Sequence, residues 1–326
     1  MKKIIFILII LSFSLVLFPN ISSAYPDSIA ALGDSITRAA NSDDLGDNPE
    51  HSWSTGNALG DNIESHYERL LDLNPNISGN NYNYAVSGAK MDDLNKQAQN
   101  AIAQNVEYVT ILMGSNDACT SSLESMTNLK TFENQFIEAM DNLTQELPNA
   151  IIYVLGLPDI YQLCDIGKQK GCDWMWSKFN ICQSLFSNSN SEQDRQVFRQ
   201  RVIDYNKVLK NITEEYKQVY TDNLFESQIT EEDISFDCFH PSLVGQQHIA
   251  EVSWNATIFY NNGNLTGDVN GDCIVNIFDL AKVGLCYGCT QGEGCWQNCS
   301  VADVKEDGKI DIFDLASVGI NYGKIC

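Results

Sequence analysis

A serine, an Asp-x-x-His pair and two strand-end turns are the parts of this 326-residue sequence best suited to covalent chemistry. Ser35 follows the apolar run Ile29-Ala30-Ala31-Leu32 and the pair Gly33-Asp34. A short apolar run that stops at glycine reads as a buried strand. A serine just beyond it stands at the carboxyl edge of a sheet, where open α/β folds place ligands. Taken alone, such a serine reads first as a helix N-cap. A nucleophilic serine needs a base, a group that orients the base, and donors for an oxyanion. The chain has four histidines, and His240 stands three residues after Asp237 in Asp237-Cys238-Phe239-His240-Pro241. Within one turn that spacing can set a carboxylate on one ring nitrogen and leave the other to take a serine proton. Ser87-Gly88 and Gly114-Ser115-Asn116-Asp117 close two further apolar runs. The glycine at 88 lets a backbone N–H approach a ligand closely, and Asn116 can aim a side-chain amide at the same point.

Positioning these groups requires elements that deliver them to one place. Residues 28–32, 82–86, 106–113 and 150–157 read as strands, and 57–71, 91–105, 129–147, 191–220 and 242–259 as helices. The β–α alternation predicts a mainly parallel sheet with helices on both sides. Near-continuous apolar runs suit strands covered on both faces. Three strand ends then bring Ser35, Gly88 and Asn116 to one edge, with Ser35 expected on the helix side of a strand-to-helix turn.

Gly33-Asp34-Ser35-Ile36, Gly88, Gly114-Ser115-Asn116-Asp117 and Asp237-x-x-His240 occur in that order over about residues 29–250. Together they resemble the four blocks of the GDSL, or SGNH, hydrolases. The resemblance implies a flavodoxin-like three-layer α/β/α fold and ester hydrolysis that requires no cofactor. It makes Ser35 the nucleophile, His240 the base and Asp237 the group that orients it. Ser35 N–H, Gly88 N–H and the Asn116 side chain become the oxyanion hole. Ser52-Trp53-Ser54-Thr55-Gly56, Asn83 to Ala89 and Asn116-Asp117-Ala118-Cys119 are similar to the phospholipase B-like branch, which implies lipid or fatty-acyl esters. A polysaccharide acetyl esterase and an inactive, scaffold-associated binding protein are the rival readings. Cys119 is a candidate to bridge Cys164 or Cys172 at the rim of the site. Trp174-Met175-Trp176 reads either as the lining of an acyl groove or as the small core of an insertion.

After a linker at 261–265 the chain changes character over 266–326 and repeats itself with an offset of 35 residues. Asp268, Asn270, Asp272, Asn276 and Asp279 fall at positions 1, 3, 5, 9 and 12 of a loop, with the Ile274 carbonyl at position 7. Asp303, Asp307, Asp311 and Asp314, with the Lys309 carbonyl, repeat the pattern. Oxygen ligands at that spacing suit calcium. The aspartate at position 12 and the Phe-Asp-Leu-Ala helix starts resemble dockerin type I repeats, which implies a small helical calcium-binding domain and docking to a cohesin-type partner. Cys273 departs from the loop's usual glycine, and Lys305 replaces an oxygen ligand in the second copy. Cys286, Cys289, Cys295 and Cys299 sit between the repeats, as disulfides or, in the alternative, a zinc site.

Residues 1–24, with Lys2, Lys3, an apolar stretch and Ser22-Ser23-Ala24, read as a secretory signal that precedes a hydrolase domain at 25–260. No later segment is apolar enough to span a membrane. Export makes the 11 cysteines a disulfide framework in a secreted protein. Five lie before residue 240, so one of them is left over, and the segment around Cys164–Cys182 is expected to be stapled. A net charge of −23 opposes binding to nucleic-acid phosphates or an anionic membrane.

Overall fold

The computed structural model describes residues 25–260, 265–270, 274–305 and 307–324. The expected signal and most of the expected linker lie outside them. Five strands form one parallel sheet: β1 (Ile29–Gly33), β2 (Asn81–Asn83), β3 (Tyr108–Leu112), β4 (Ile151–Leu155) and β5 (Val219–Thr221), in the order β2-β1-β3-β4-β5. This is the expected flavodoxin-like order. Every residue of β1 and β3 is buried, as an unbroken apolar run requires. The order reverses at β1, which has β2 on one side and β3 on the other. That reversal opens a crevice at the strands' carboxyl ends.

Right-handed crossovers in this order put the helix His66–Leu73 on one face of the sheet. They put the helices Leu94–Gln104, Leu129–Glu146 and Glu192–Glu215 on the other. Those three helices pack side by side. On the first face, His66 joins its helix to the closing helix Leu243–Trp254. His66 is fully buried, with Nδ1 2.9 Å from the Tyr108 hydroxyl and Nε2 2.8 Å from Ser253 Oγ. Trp53 and Trp254 meet its ring edge-on. Burial, and then the charge of Arg69, push its pKa down to about 3. The imidazole is therefore a neutral, doubly hydrogen-bonded core group.

Several elements depart from the sequence reading, among them the helix expected at 242–259, which ends at Trp254. The helix expected at 57–71 begins only at His66, because Ser65 and Glu68 form a capping box there. Before it, Gly60 and Asn62 both take left-handed backbone. β2 begins one residue before the expected run and ends three residues short of it, at Asn83. The helix expected at 191–220 stops at Glu215, Lys217 reverses the chain at φ +57°, and the last residues become β5.

A second buried cluster, separate from the one around the sheet, contains Val269, Val275, Val283, Ile310 and Val318. In it the helices Ile277–Leu285 and Ile312–Asn321 pack on each other. Each starts with a capping box, Asn276 with Asp279 and Asp311 with Asp314. Cys286–Cys299 and Cys289–Cys295 are disulfides, which removes the zinc alternative for these four sulfurs.

The buried neutral histidine makes a pH-dependent prediction. Its folded pKa lies below the unfolded value, so its contribution is complete above about pH 6.5 and is lost as pH falls toward 3. In urea titrations, the stability advantage of wild type over His66→Gln should shrink by about 1.4 kcal/mol for each pH unit below 6.5. A difference that stays constant from pH 7.5 to 5 would contradict a buried neutral ring.

Candidate active site

Ser35 emerges from β1 through a backbone that has no room for a side chain. A Cβ on Gly33 would lie 2.5 Å from Thr37 Oγ1 and 2.6 Å from the Leu112 carbonyl oxygen. Gln97, buried on its helix, clamps the same residue: Gly33 N–H donates to Gln97 Oε1 at 2.8 Å, and Gln97 Nε2 donates to Gly33 O at 2.9 Å. Residues 34–41 form consecutive turns rather than the expected helix start. Arg38 N–H returns to Asp34 O, Ala39 N–H to Ile36 O and Ala40 N–H to Ser35 O. Gln246 holds the other flank of the serine, donating to Ile36 O at 2.8 Å while accepting from Trp53 N–H at 3.0 Å.

His240 arrives from the far end of the sheet. Its Nε2 lies 2.9 Å from Ser35 Oγ, and its Nδ1 lies 2.6 Å from Asp237 Oδ2. Both side chains are largely buried. Asp237 Oδ1 accepts the backbone N–H groups of Phe239 and His240, each at 2.9 Å, and Oδ2 also accepts Asn41 Nδ2 at 2.7 Å. Burial works to raise this carboxyl. The His240 ring, the Asn41 amide and the His240 N–H outweigh it and hold the pKa at about 2. Asp237 is therefore ionised across neutral pH, which orders the imidazole with its proton on Nδ1 and a lone pair facing Ser35.

The strand order places the candidate oxyanion donors on either side of Ser35, Gly88 after β2 and Asn116 after β3. Among the described residues neither Ser35 N–H nor Gly88 N–H has an acceptor. Gly88 holds φ +84°, where glycine carries no penalty. Asn116 Nδ2 donates to Ala89 O at 3.0 Å and has a long contact, 3.4 Å, with Asp34 Oδ2. One of its two N–H bonds is thus committed and the other is weakly held. Asp34 and Asp117 lie under this floor, and burial pushes their carboxyls up to about 7 and about 6.

The disulfides differ from the expected pairing. Cys119 bridges Cys182, not Cys164 or Cys172. Cys172 bridges Cys238, which sits in left-handed backbone between Asp237 and His240. The helical segment around 160–190 is thus stapled at both ends of the site, and Cys164 is the thiol left over. Burial pushes its pKa up to about 11. Trp176 is the core of that segment: it stacks on Phe186 and donates to Cys238 O at 2.9 Å, while Trp174 is exposed.

The profile of the GDSL-like Lipase/Acylhydrolase family matches residues 29–252, more than half of the chain. This chain belongs to the GDSL-like lipase/acylhydrolase family. An esterase or lipase activity is what membership implies in general. No curated protein matches the chain. Solved structures similar to this GDSL-like protein include a putative GDSL-like lipase from Parabacteroides merdae, with 18% identity over 72% of this chain and 96% of that one, at a TM-score of 0.45. An extracellular lipase from Streptomyces rimosus has 18% identity over 71% and 99%, at 0.44. A family 3 carbohydrate esterase from Clostridium thermocellum has 17% identity over 71% and 94%, at 0.44.

Two recesses meet at Ser35 of this acylhydrolase fold. One is a narrow apolar recess of about 70 Å³, walled by Ile36, Ile160, Leu163, Leu224, Ile229 and Ile249. Asp233 and His248, paired at 3.2 Å, also border it. The other is a shallow open cleft bordered by Asn41, Asp47, Ser87, Gly88 and Asn116.

The calcium candidates lie in the second cluster. Asp279 and Asp314 are buried. Asp279 accepts from the N–H groups of Val269, Asn270 and Asn276, and Asp314 from those of Lys305 and Asp311. Asp303 accepts from Asp307 and Gly308 N–H, and Asp307 Oδ1 from Lys309 N–H. Asp268, Asn270 and Ile274 are described, whereas Asp272 lies outside the described residues. In the second loop the Lys309 ammonium stands 3.0 Å from Asp311 Oδ2.

Proposed function

We propose that the chain is an exported serine ester hydrolase. The observation that carries this reading is the line from Ser35 Oγ through the His240 ring to Asp237, at 2.9 Å and 2.6 Å, beside an apolar recess. Ser35 Oγ attacks the ester carbonyl carbon as its proton passes to His240 Nε2. Asp237 keeps the Nδ1–H in place and stabilises the imidazolium. The developing oxyanion is met by the N–H groups of Ser35 and Gly88 and by Asn116 Nδ2. The last of these turns from its long contact with Asp34 while its other N–H stays on Ala89. His240 then protonates the leaving alkoxide, and a water deprotonated by the same nitrogen releases the acid and restores Ser35. No step requires a cofactor. The narrow recess favours a short, unbranched acyl group, and the open cleft suits an alcohol of any size. This fits a small-acyl esterase better than a long-chain phospholipase. Four disulfides among the described residues support export to an oxidising compartment. No helix among the described residues is long and apolar enough to cross a membrane.

We also propose that the C-terminal repeats form a dockerin-like module that docks to a cohesin-type protein. The first loop offers the oxygen donors a calcium ion prefers: Asp268, Asn270, Asp272, Asn276, Asp279 and the Ile274 carbonyl. The second loop fits less well, because Lys305 replaces an oxygen donor and Lys309 already neutralises Asp311. Exposed apolar pairs at matching positions, Ile277-Phe278 and Ile312-Phe313, support a docking role for the two helix starts.

With p-nitrophenyl acetate, Ser35→Ala should lower kcat by about 10⁴-fold or more at an unchanged thermal midpoint. Asn116→Ala should lower it by about 10²–10³-fold. Wild-type turnover by Ser35→Ala would refute the assignment. Native mass spectrometry in calcium should find about one tightly bound ion per chain, lost in Asp279→Ala. A count near zero in wild type would remove the calcium role.

A further inference from the structure

Nothing in the sequence marks Asn41, which lies six residues beyond Ser35 and 196 residues before Asp237. It stands in left-handed backbone at φ +57°, where asparagine and aspartate are tolerated better than other side-chain-bearing residues. Its N–H donates to Gly46 O at 2.7 Å, and its Oδ1 accepts Gly46 N–H at 2.8 Å, so residues 41–46 close into a turn. Its carbonyl accepts the Ser235 hydroxyl. Ser235 in turn braces the loop that carries the acid and base, since its N–H donates to His240 O at 2.9 Å and its carbonyl accepts Cys238 N–H at 3.1 Å. Three of the polar groups of Asn41 therefore fix where the residue stands, and the fourth, Nδ2, points at Asp237 Oδ2 from 2.7 Å.

A carboxylate offers about four lone-pair positions. Asp237 fills two on Oδ1 with the N–H groups of Phe239 and His240, and two on Oδ2 with His240 Nδ1 and Asn41 Nδ2. Without Asn41 the open position faces the cleft that Asn41 itself borders, and water would enter there. The carboxylate could then rotate about its terminal torsion, and Oδ2 would leave the line to Nδ1. The other charged groups nearby do not substitute for this donor. Asp34 acts on His240 by its charge alone, and Arg38 is taken by Asp47 at 3.1 Å.

We infer that Asn41 is a positioning residue for the relay, which completes the donor set of Asp237 and ties the nucleophile's loop to the loop of the acid and base. The inference rests on the serine-hydrolase reading and adds a component to it. Two substitutions separate this role from simple support of the turn. Asn41→Asp keeps the tolerated backbone and the acceptor for Gly46 N–H but replaces the Nδ2 donor with a second carboxylate oxygen. Asn41→Gly keeps the backbone and loses both side-chain bonds.

The experiment is steady-state hydrolysis of p-nitrophenyl acetate across pH 5–9 by wild type, Ser35→Ala, Asn41→Asp and Asn41→Gly, with thermal midpoints recorded in parallel. A positioning role predicts that both Asn41 variants lose kcat by about 10- to 100-fold, with KM within about twofold of wild type. Asn41→Asp should be the slower, with the acidic limb of kcat/KM moved to higher pH because a second negative charge favours the imidazolium. A turn-only role predicts the reverse order: Asn41→Asp with wild-type kcat and pH profile, and Asn41→Gly impaired along with its thermal midpoint. That result would overturn the inference and leave the hydrolase reading intact. A wild type no faster than Ser35→Ala would overturn both.

Discussion

The carboxyl end of β1 is the constraint on which the site depends. Parallel pairing sets Gly33 opposite Leu112 so closely that no Cβ fits between them. The chain must turn there, and both polar backbone groups of Gly33 are taken by Gln97. Because β1 lies where the strand order reverses, the turn opens between the ends of β2 and β3. Ser35, Gly88 and Asn116 become neighbours for that reason. The His240 loop is the one part delivered from outside this junction, and it is held by Asn41, the Cys172–Cys238 bridge and the Trp176 indole.

The site also separates aspartates by what surrounds them. Asp34, Asp117 and Asp237 are all withdrawn from water. Asp34 and Asp117 have too few donors to offset burial, and their carboxyls rise to about 7 and about 6. Asp237 has four N–H donors, one of them the His240 ring, and falls to about 2. Only the last is built to hold a full negative charge, which is what a partner of an imidazolium must do. The other two are structural: Asp34 accepts Ile36 N–H at 2.9 Å, and Asp117 accepts Met91 N–H at 2.9 Å and the Thr127 hydroxyl at 2.7 Å, which fixes the turns under the site.

Much of this was legible in the sequence, for stated physical reasons. Buried parallel strands are apolar on both faces, so 28–32, 106–113 and 150–157 stand out. Strand ends followed by Gly, Ser and Asn mark the edge where ligands bind. Asp237-x-x-His240 carries its own geometry within one turn. What was not legible depends on long-range partners. Gln97 sits on an amphipathic helix and Gln246 in the first turns of the closing helix, where glutamine reads as surface, yet each is buried and hydrogen-bonded across the chain. β5 is only three residues long and follows a helix after the short turn at 216–218, so its apolar residues merged with the helical pattern. The disulfide partners of Cys119 and Cys172 follow from how the 160–190 segment folds over the site, which no spacing encodes. The thiol left over, Cys164, was expected as a count but not as a residue.

The chemistry proposed for this site requires Ser35 to be the residue activated by His240 and Asp237. Reaction with a fluorophosphonate, followed by peptide mapping, tests it most directly, because such a reagent reports an activated serine without assuming a substrate. One phosphonyl adduct per chain is expected, on the peptide containing Ser35, with near-complete loss in His240→Ala. Labelling at a different serine, or labelling of Ser35 that survives removal of His240, would contradict it.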